Sequence, residues 1–174
     1  SSTGNGMTNS LDSEPTPLNV SSVMYDTTEM VVTWGQSNDN DFVSYELLQS
    51  DTENGNYTSV VVITDQSTTS HSLTEYDPTQ ENWFKVKVTD YWGLNSTGNG
   101  MTNDIDSPPT QIDVSSVTYD LTEMVIAWGQ SNDYDFLSYE LLYSETQSGE
   151  QTSIITITDV NTTSFTISDF NPLE

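Results

Sequence analysis

The chain has 174 residues, no Cys, and 27 acidic residues against two lysines and no arginine, a formal net charge of −25. Disulfides and cysteine-ligated metals are therefore excluded, and nucleic acid or anionic membrane surfaces are poor partners, because phosphate affinity needs Lys and Arg. No apolar run approaches the roughly 20 residues that span a bilayer, and regularly placed Trp, Tyr, Phe and Val/Ile runs argue for a folded chain over a solvated acidic tail. The acidity itself fits a soluble secreted surface or salty surroundings, and divalent cations are a further way to neutralise it.

Residues 2–9 (STGNGMTN) recur intact as residues 96–103. A shift of 94 residues pairs 1–80 with 95–174 without a gap, and 47 of those 80 pairs are identical. A period this long, held without insertions, is one domain-sized unit used twice. In chain order, residues 1–12 read as the last strand of a preceding unit, 13–106 as a complete domain, and 107–174 as a second domain lacking its last two strands. The counterpart of Glu81–Leu94 is what the second copy lacks. The chain is expected to be a window on a longer tandem array.

Within the first copy, Glu14-Pro15-Thr16-Pro17 introduces an extended stretch around Leu18 and Val20. Met30-Val31-Val32-Thr33-Trp34 is a β-branched apolar run ended by Gly35, the pattern of a strand buried against a second sheet. Phe42–Leu48 follows, with Tyr45 and Leu47 on one face, then Ser59–Thr64 and Thr69–Thr74. Phe84, Val86 and Val88 alternate with Lys85 and Lys87, so that strand buries one face and exposes its charges on the other. Turn-forming clusters separate the runs at Ser37–Asp41, Asp51–Asn56 and Tyr91–Gly93. Seven short strands in a repeat of 94 residues, without helical periodicity, predict an all-β fold of tandem seven-stranded antiparallel sandwiches.

The proline-led start, the Trp closing the second strand, Asp41-Phe42-Val43-Ser44-Tyr45-Glu46-Leu47 opening the third, and Thr69-Ser70-His71-Ser72-Leu73 later resemble fibronectin type III domains. Asp90-Tyr91-Trp92-Gly93-Leu94-Asn95-Ser96 is similar to the Asp-x-x-Gly-x-x-Ser ending of the bacterial secreted kind. The resemblance covers all of the first unit and five strands of the second. One position departs from it: six residues after Tyr76, where the family carries a corner-pinning Tyr, this chain has Asn82. The resemblance implies an Ig-like sandwich and a structural or binding role.

Catalysis is not expected. His71 is the only His, and its counterpart in the second copy is Phe165, an exchange that suits packing better than proton transfer. No nucleophile–base set, phosphate-cradling loop or His-rich cluster is present. Trp34 and Trp128 are expected in the core, with sugar stacking the alternative. Calcium is the candidate cofactor, because hard cations take clustered carboxylate and carbonyl oxygens. The candidate ligands are Asp39 and Asp41, their counterparts Asp133 and Asp135, and Asp104 and Asp106 between the copies. The competing reading is that these side chains cap turns locally. Asn19, Asn56, Asn95 and Asn161 begin Asn-x-Ser/Thr triplets, candidates for glycan attachment, although 50 Ser and Thr and 14 Asn produce about four such triplets by chance. Trp83, Tyr91 and Trp92 are candidates for surface aromatic contact.

The expected role is a repeat segment of a long extracellular or cell-surface protein, acting as stalk, adhesin shaft or fibre. Its partners would be neighbouring units of the same chain, other copies in a filament, or glycans. The alternative is a spacer or carbohydrate-binding accessory module of a secreted polysaccharide-degrading enzyme.

Overall fold

The computed structural model describes residues 7–168. It divides between Ser107 and Pro108 into two compact units. Unit 1 contains β1 (Val20–Tyr25), β2 (Met30–Trp34), β3 (Phe42–Ser50), β4 (Thr58–Ile63), β5 (Ser70–Leu73), β6 (Trp83–Asp90), β7 (Asn95–Thr97) and β8 (Met101–Thr102). Unit 2 contains β9 (Val114–Tyr119), β10 (Glu123–Trp128), β11 (Tyr139–Tyr143), β12 (Thr152–Ile157) and β13 (Ser164–Ser168). Residues 1–6 of the segment expected to be a preceding unit's last strand lie outside the described residues. Residues 7–12 form no strand and are exposed.

Unit 1 is an antiparallel sandwich. One sheet runs β1-β2-β5; the other runs β4-β3-β6-β7, with β8 also on β6. That order is the fibronectin type III arrangement, in which β7 and β8 together make the last strand. Period-2 alternation fixes which faces meet. Met30, Val32 and Trp34 of β2 are buried against Tyr45 and Leu47 of β3 and Phe84, Val86 and Val88 of β6. Lys85 and Lys87 point away from this core, Lys87 pairing with Glu46 and Lys85 lying 4.3 Å from the Tyr57 ring centroid. The Trp34 ring meets Tyr45 edge-on at 5.9 Å between centroids, and Trp128 meets Tyr139 likewise at 5.8 Å. Both tryptophans are core residues, as their position at the end of a buried strand implies.

The corner that lacks the family's Tyr is held by two buried asparagines. Asn82 Nδ2 donates to the carbonyls of Asp77 and Gln80, and its amide donates to Asn103 Oδ1 at 2.8 Å. Asn103 Nδ2 in turn donates to the carbonyls of Pro78, Gln80 and Asp104. A side-chain amide presents donor and acceptor together, so two of them satisfy a turn whose backbone groups would otherwise be buried unpaired. Tyr76 bonds elsewhere, its hydroxyl donating to the Asp26 carbonyl.

Unit 2 repeats what its sequence can repeat. Its sheets run β13-β10-β9 and β11-β12, matching β5-β2-β1 and β3-β4. Even the irregularities recur: the register shift before Trp34 returns before Trp128, and that between Leu47 and Leu48 returns between Leu141 and Leu142. Among the described residues it has no counterpart of β6, β7 or β8, and the consequences are local. Phe42 and Ser44 are strand residues paired to β6; their counterparts Phe136 and Ser138 are outside β11. Val20 and Val23 are 4% and 9% exposed, whereas Val114 and Val117 are 52% and 53% exposed.

Candidate functional site

The two ends of unit 1 are distinguished by which loops they gather. β1 starts with Val20 opposite Trp34, the residue from which the chain leaves β2 towards β3. β3 starts with Phe42 opposite Asp90, the last residue of β6. The incoming segment, the Gly35–Asp41 loop and the turn after β6 therefore share one end. At the other end, Asn82 precedes β6 and Asn103 follows β8, and the Asp106 amide donates to the Pro78 carbonyl at 2.9 Å. The outgoing segment thus leaves from the opposite end of β6. Eight residues of strand separate the two ends, roughly 25 Å at about 3.3 Å per residue.

The incoming segment is pinned along the sheet. The Val20 amide donates to the Asn99 carbonyl at 3.3 Å, and the Asn99 amide donates to Asn19 Oδ1 at 2.8 Å. Gly98 makes this approach possible, because a Cβ there would lie 2.0 Å from the Leu18 carbonyl oxygen.

The loop Ser37–Asp41 is rigid for reasons visible in its bonds. Tyr45 Oη accepts from the Ser37 amide at 2.7 Å and donates to the Gln66 carbonyl at 2.9 Å. Gln66 Nε2 donates to the carbonyls of Ser37 and Asp39. Burial raises the Tyr45 hydroxyl above its ordinary value, and nearby Asp39 and Asp65 add to the rise against the opposing bond from Ser37. Unit 2 keeps the Tyr139 bonds to Ser131 and Val160, but Val160 stands where Gln66 would clamp the loop.

The predicted cation ligands separate into two kinds. Asp39 and Asp133 are turn caps, each accepting from a Ser hydroxyl two residues earlier, at 2.8 and 2.9 Å. Asp104 is exposed, Asp106 is half-buried, and Asp135 is exposed in unit 2. Asp41 differs. Its carboxylate joins those of Asp12 and Asp90, with one oxygen from each within 4.8 Å of the others. Asp90 holds the turn after β6, Oδ1 accepting from the amides of Trp92 and Leu94 at 2.9 Å each. Gly93 completes that turn at φ 84°, a conformation glycine adopts without penalty.

Asp12 and Asp90 are the members that sequence reading did not single out as ligands. A signal was present: Asp12 and Asp41 recur as Asp106 and Asp135, while Ser10 and Asn40 between and beside them are exchanged for Asp104 and Tyr134.

Of the aromatic candidates, Tyr91 and Trp92 are 73% and 71% exposed and meet edge-on, 5.3 Å between centroids. Trp83 is half-buried at the other end of β6, its Nε1 donating to Glu81 at 2.7 Å. The three do not share one platform. The glycan candidates Asn19, Asn56, Asn95 and Asn161 are all exposed. Asn19 Oδ1 accepts from the Asn99 amide, and Asn161 donates its backbone and side-chain amides to Asp159 Oδ1 and accepts from Gln130.

No sequence-family model matches the chain, and no curated protein matches it. Solved structures are similar in fold. The FN1–FN3 domains of chicken CNTN1 are 16% identical at a TM-score of 0.42, over 91% of this chain and 59% of that one. The central fibronectin-III array of RIM-binding protein is 14% identical at a TM-score of 0.39, over 91% and 55%. The pectate lyase Pel3 from Pectobacterium carotovorum is 9% identical at a TM-score of 0.46, over 59% of this chain and 31% of the enzyme. The chain thus spans less than two thirds of each of these proteins. The fold assignment rests on the strand order of unit 1, to which these likenesses add nothing finer.

Proposed function

We propose that the chain is a non-catalytic spacer, a segment of an extracellular or cell-surface stalk, adhesin shaft or fibre built from repeated fibronectin type III units. The observation that carries this reading is the separation of the incoming and outgoing segments to opposite ends of β6 in unit 1. A unit entered at one end and left at the other adds its own length each time it is repeated. The segment between the copies, Ser107-Pro108-Pro109-Thr110, supports extension, since consecutive prolines restrict φ and favour extended backbone. So does a formal charge of −25, which sets successive units in mutual repulsion. The partners on this reading are neighbouring units and, laterally, other copies.

The test is solution scattering from chains carrying one, two and four complete 94-residue units. The spacer reading expects the maximum dimension to rise by a constant increment per unit. A dimension that grows only as the cube root of mass would overturn it. Exposed Tyr91 and Trp92 favour a second role as a sugar-contacting surface of a polysaccharide-bound protein. Replacing both by Ala should then abolish retention on insoluble polysaccharide, and unchanged retention would remove that role.

A further inference from the structure

The turn after β6 contains an electrostatic problem that the protein's own groups do not solve. Asp90 is 2% exposed. Its Oδ1 takes two amide hydrogens, but Oδ2 is buried without a hydrogen-bond partner. A buried carboxylate oxygen left without a partner is strongly unfavourable, because it has given up its hydration without replacement. Here the cost is compounded, because the carboxylates of Asp12 and Asp41 stand within 4.8 Å. Neither lysine relieves it: Lys87 is on Glu46 and Lys85 is over Tyr57.

We infer that Asp12, Asp41 and Asp90 form a calcium site that latches the incoming segment onto the end of unit 1. Calcium takes about six to eight oxygens at about 2.4 Å, so two oxygens on opposite sides of one ion lie about 4.8 Å apart. The three carboxylates fall within that span. Asp90 supplies Oδ2, fixed by the two amides on Oδ1. Asp41 is fixed by the loop it ends, whose carbonyl at Asp41 accepts from the Tyr91 amide at 2.8 Å. Asp12 comes from the segment before β1, is exposed, and leaves the remaining positions open to water. Two ligands therefore belong to the sandwich and one to the incoming segment. Binding an ion ties them together, which removes freedom at the very segment that joins a unit to whatever precedes it. The site goes beyond the spacer reading and stands on unit 1 alone, so a failure of either leaves the other to its own test. Asp106 and Asp135 repeat two of the three ligands, and the counterpart of Asp90 would be residue 184, beyond the sequence. The 174-residue chain accordingly has one complete set.

The experiment is calcium titration of the chelator-treated 174-residue chain by calorimetry, with terbium luminescence as a second readout. Trp92, whose backbone amide donates to Asp90 Oδ1, is the aromatic residue expected to sensitise a bound lanthanide. The expected result is one calcium per chain, sensitised terbium emission displaced by calcium, and a higher melting temperature of unit 1. Asp12→Asn changes an exposed residue before β1; it removes one of the three repelling charges, so the calcium-free melting temperature is expected not to fall, while calcium binding weakens by about tenfold or more. Asp41→Asn should do the same to binding. Absence of saturable binding, or binding that survives undiminished in Asp12→Asn and Asp41→Asn, overturns the site; the latter result places the ion elsewhere on the acidic surface.

Discussion

Phe84→Ala is expected to destabilise unit 1 by about 3–5 kcal/mol, the cost of emptying a fully packed aromatic site. Phe84 is 0% exposed and sits at the start of the strand that the rest of the core faces. β6 pairs with β3, β7 and β8 at once, so its side chains complete both the hydrogen-bond ladder and the interface between sheets. Val62→Ala on β4, 57% exposed, should change stability by only a few tenths of a kcal/mol. Denaturant unfolding followed by Trp fluorescence measures both. Equal effects at the two positions would mean that β6 is not the keystone described here.

The second large effect concerns unit 2. Extending the chain after Glu174 with a copy of residues 81–106 is expected to create a second complete sandwich, including the Asn82–Asn103 corner. Val114 and Val117 should then fall from 52% and 53% exposure towards the 4% and 9% of Val20 and Val23. Each valine gains roughly half of its full-burial value of about 1.5–3 kcal/mol, before the new strand's own side chains are counted. Residues 136–138 should also become strand, since their counterparts are strand only through pairing with β6. Amide exchange across β10 reports the change directly. Slowing by several orders of magnitude is the expected outcome, and unchanged exchange in β10 would contradict the equivalence of the two units.

Much of this was legible in the sequence, for physical reasons that differ between elements. β2 announces itself as a short β-branched apolar run ended by glycine, and β6 because a two-residue period with one wholly apolar face has no other compact use. The turns at Ser37–Asp41 and Tyr91–Gly93 were legible because Asn, Asp and Gly favour the backbone conformations they need. The Asn82–Asn103 pair was not: reading Asn82 as the absence of a Tyr concealed that an asparagine 21 residues later would meet it. The Asp12–Asp41–Asp90 cluster was less legible still. Its members are 29 and 49 residues apart (41 − 12 and 90 − 41), and only the topology brings them together. Asp39, closer in sequence to Asp41 than either partner, turned out to face its own Ser37. In a chain this acidic, local density of carboxylates is a poor guide to which of them converge; burial at one member is the better guide.

Unit 1 places its incoming and outgoing segments at opposite ends, and the spacer reading depends on that placement. The absence of Cys makes a direct measurement simple. Cysteines introduced at Ser13 and Ser107 can be spin-labelled without competing sites, and the distance between them measured by pulsed dipolar spectroscopy. The separation expected is roughly 25–35 Å, the length of β6 plus the labels' reach. A separation below about 15 Å, less than half of such a strand and its labels, would put both segments at one end and contradict the account.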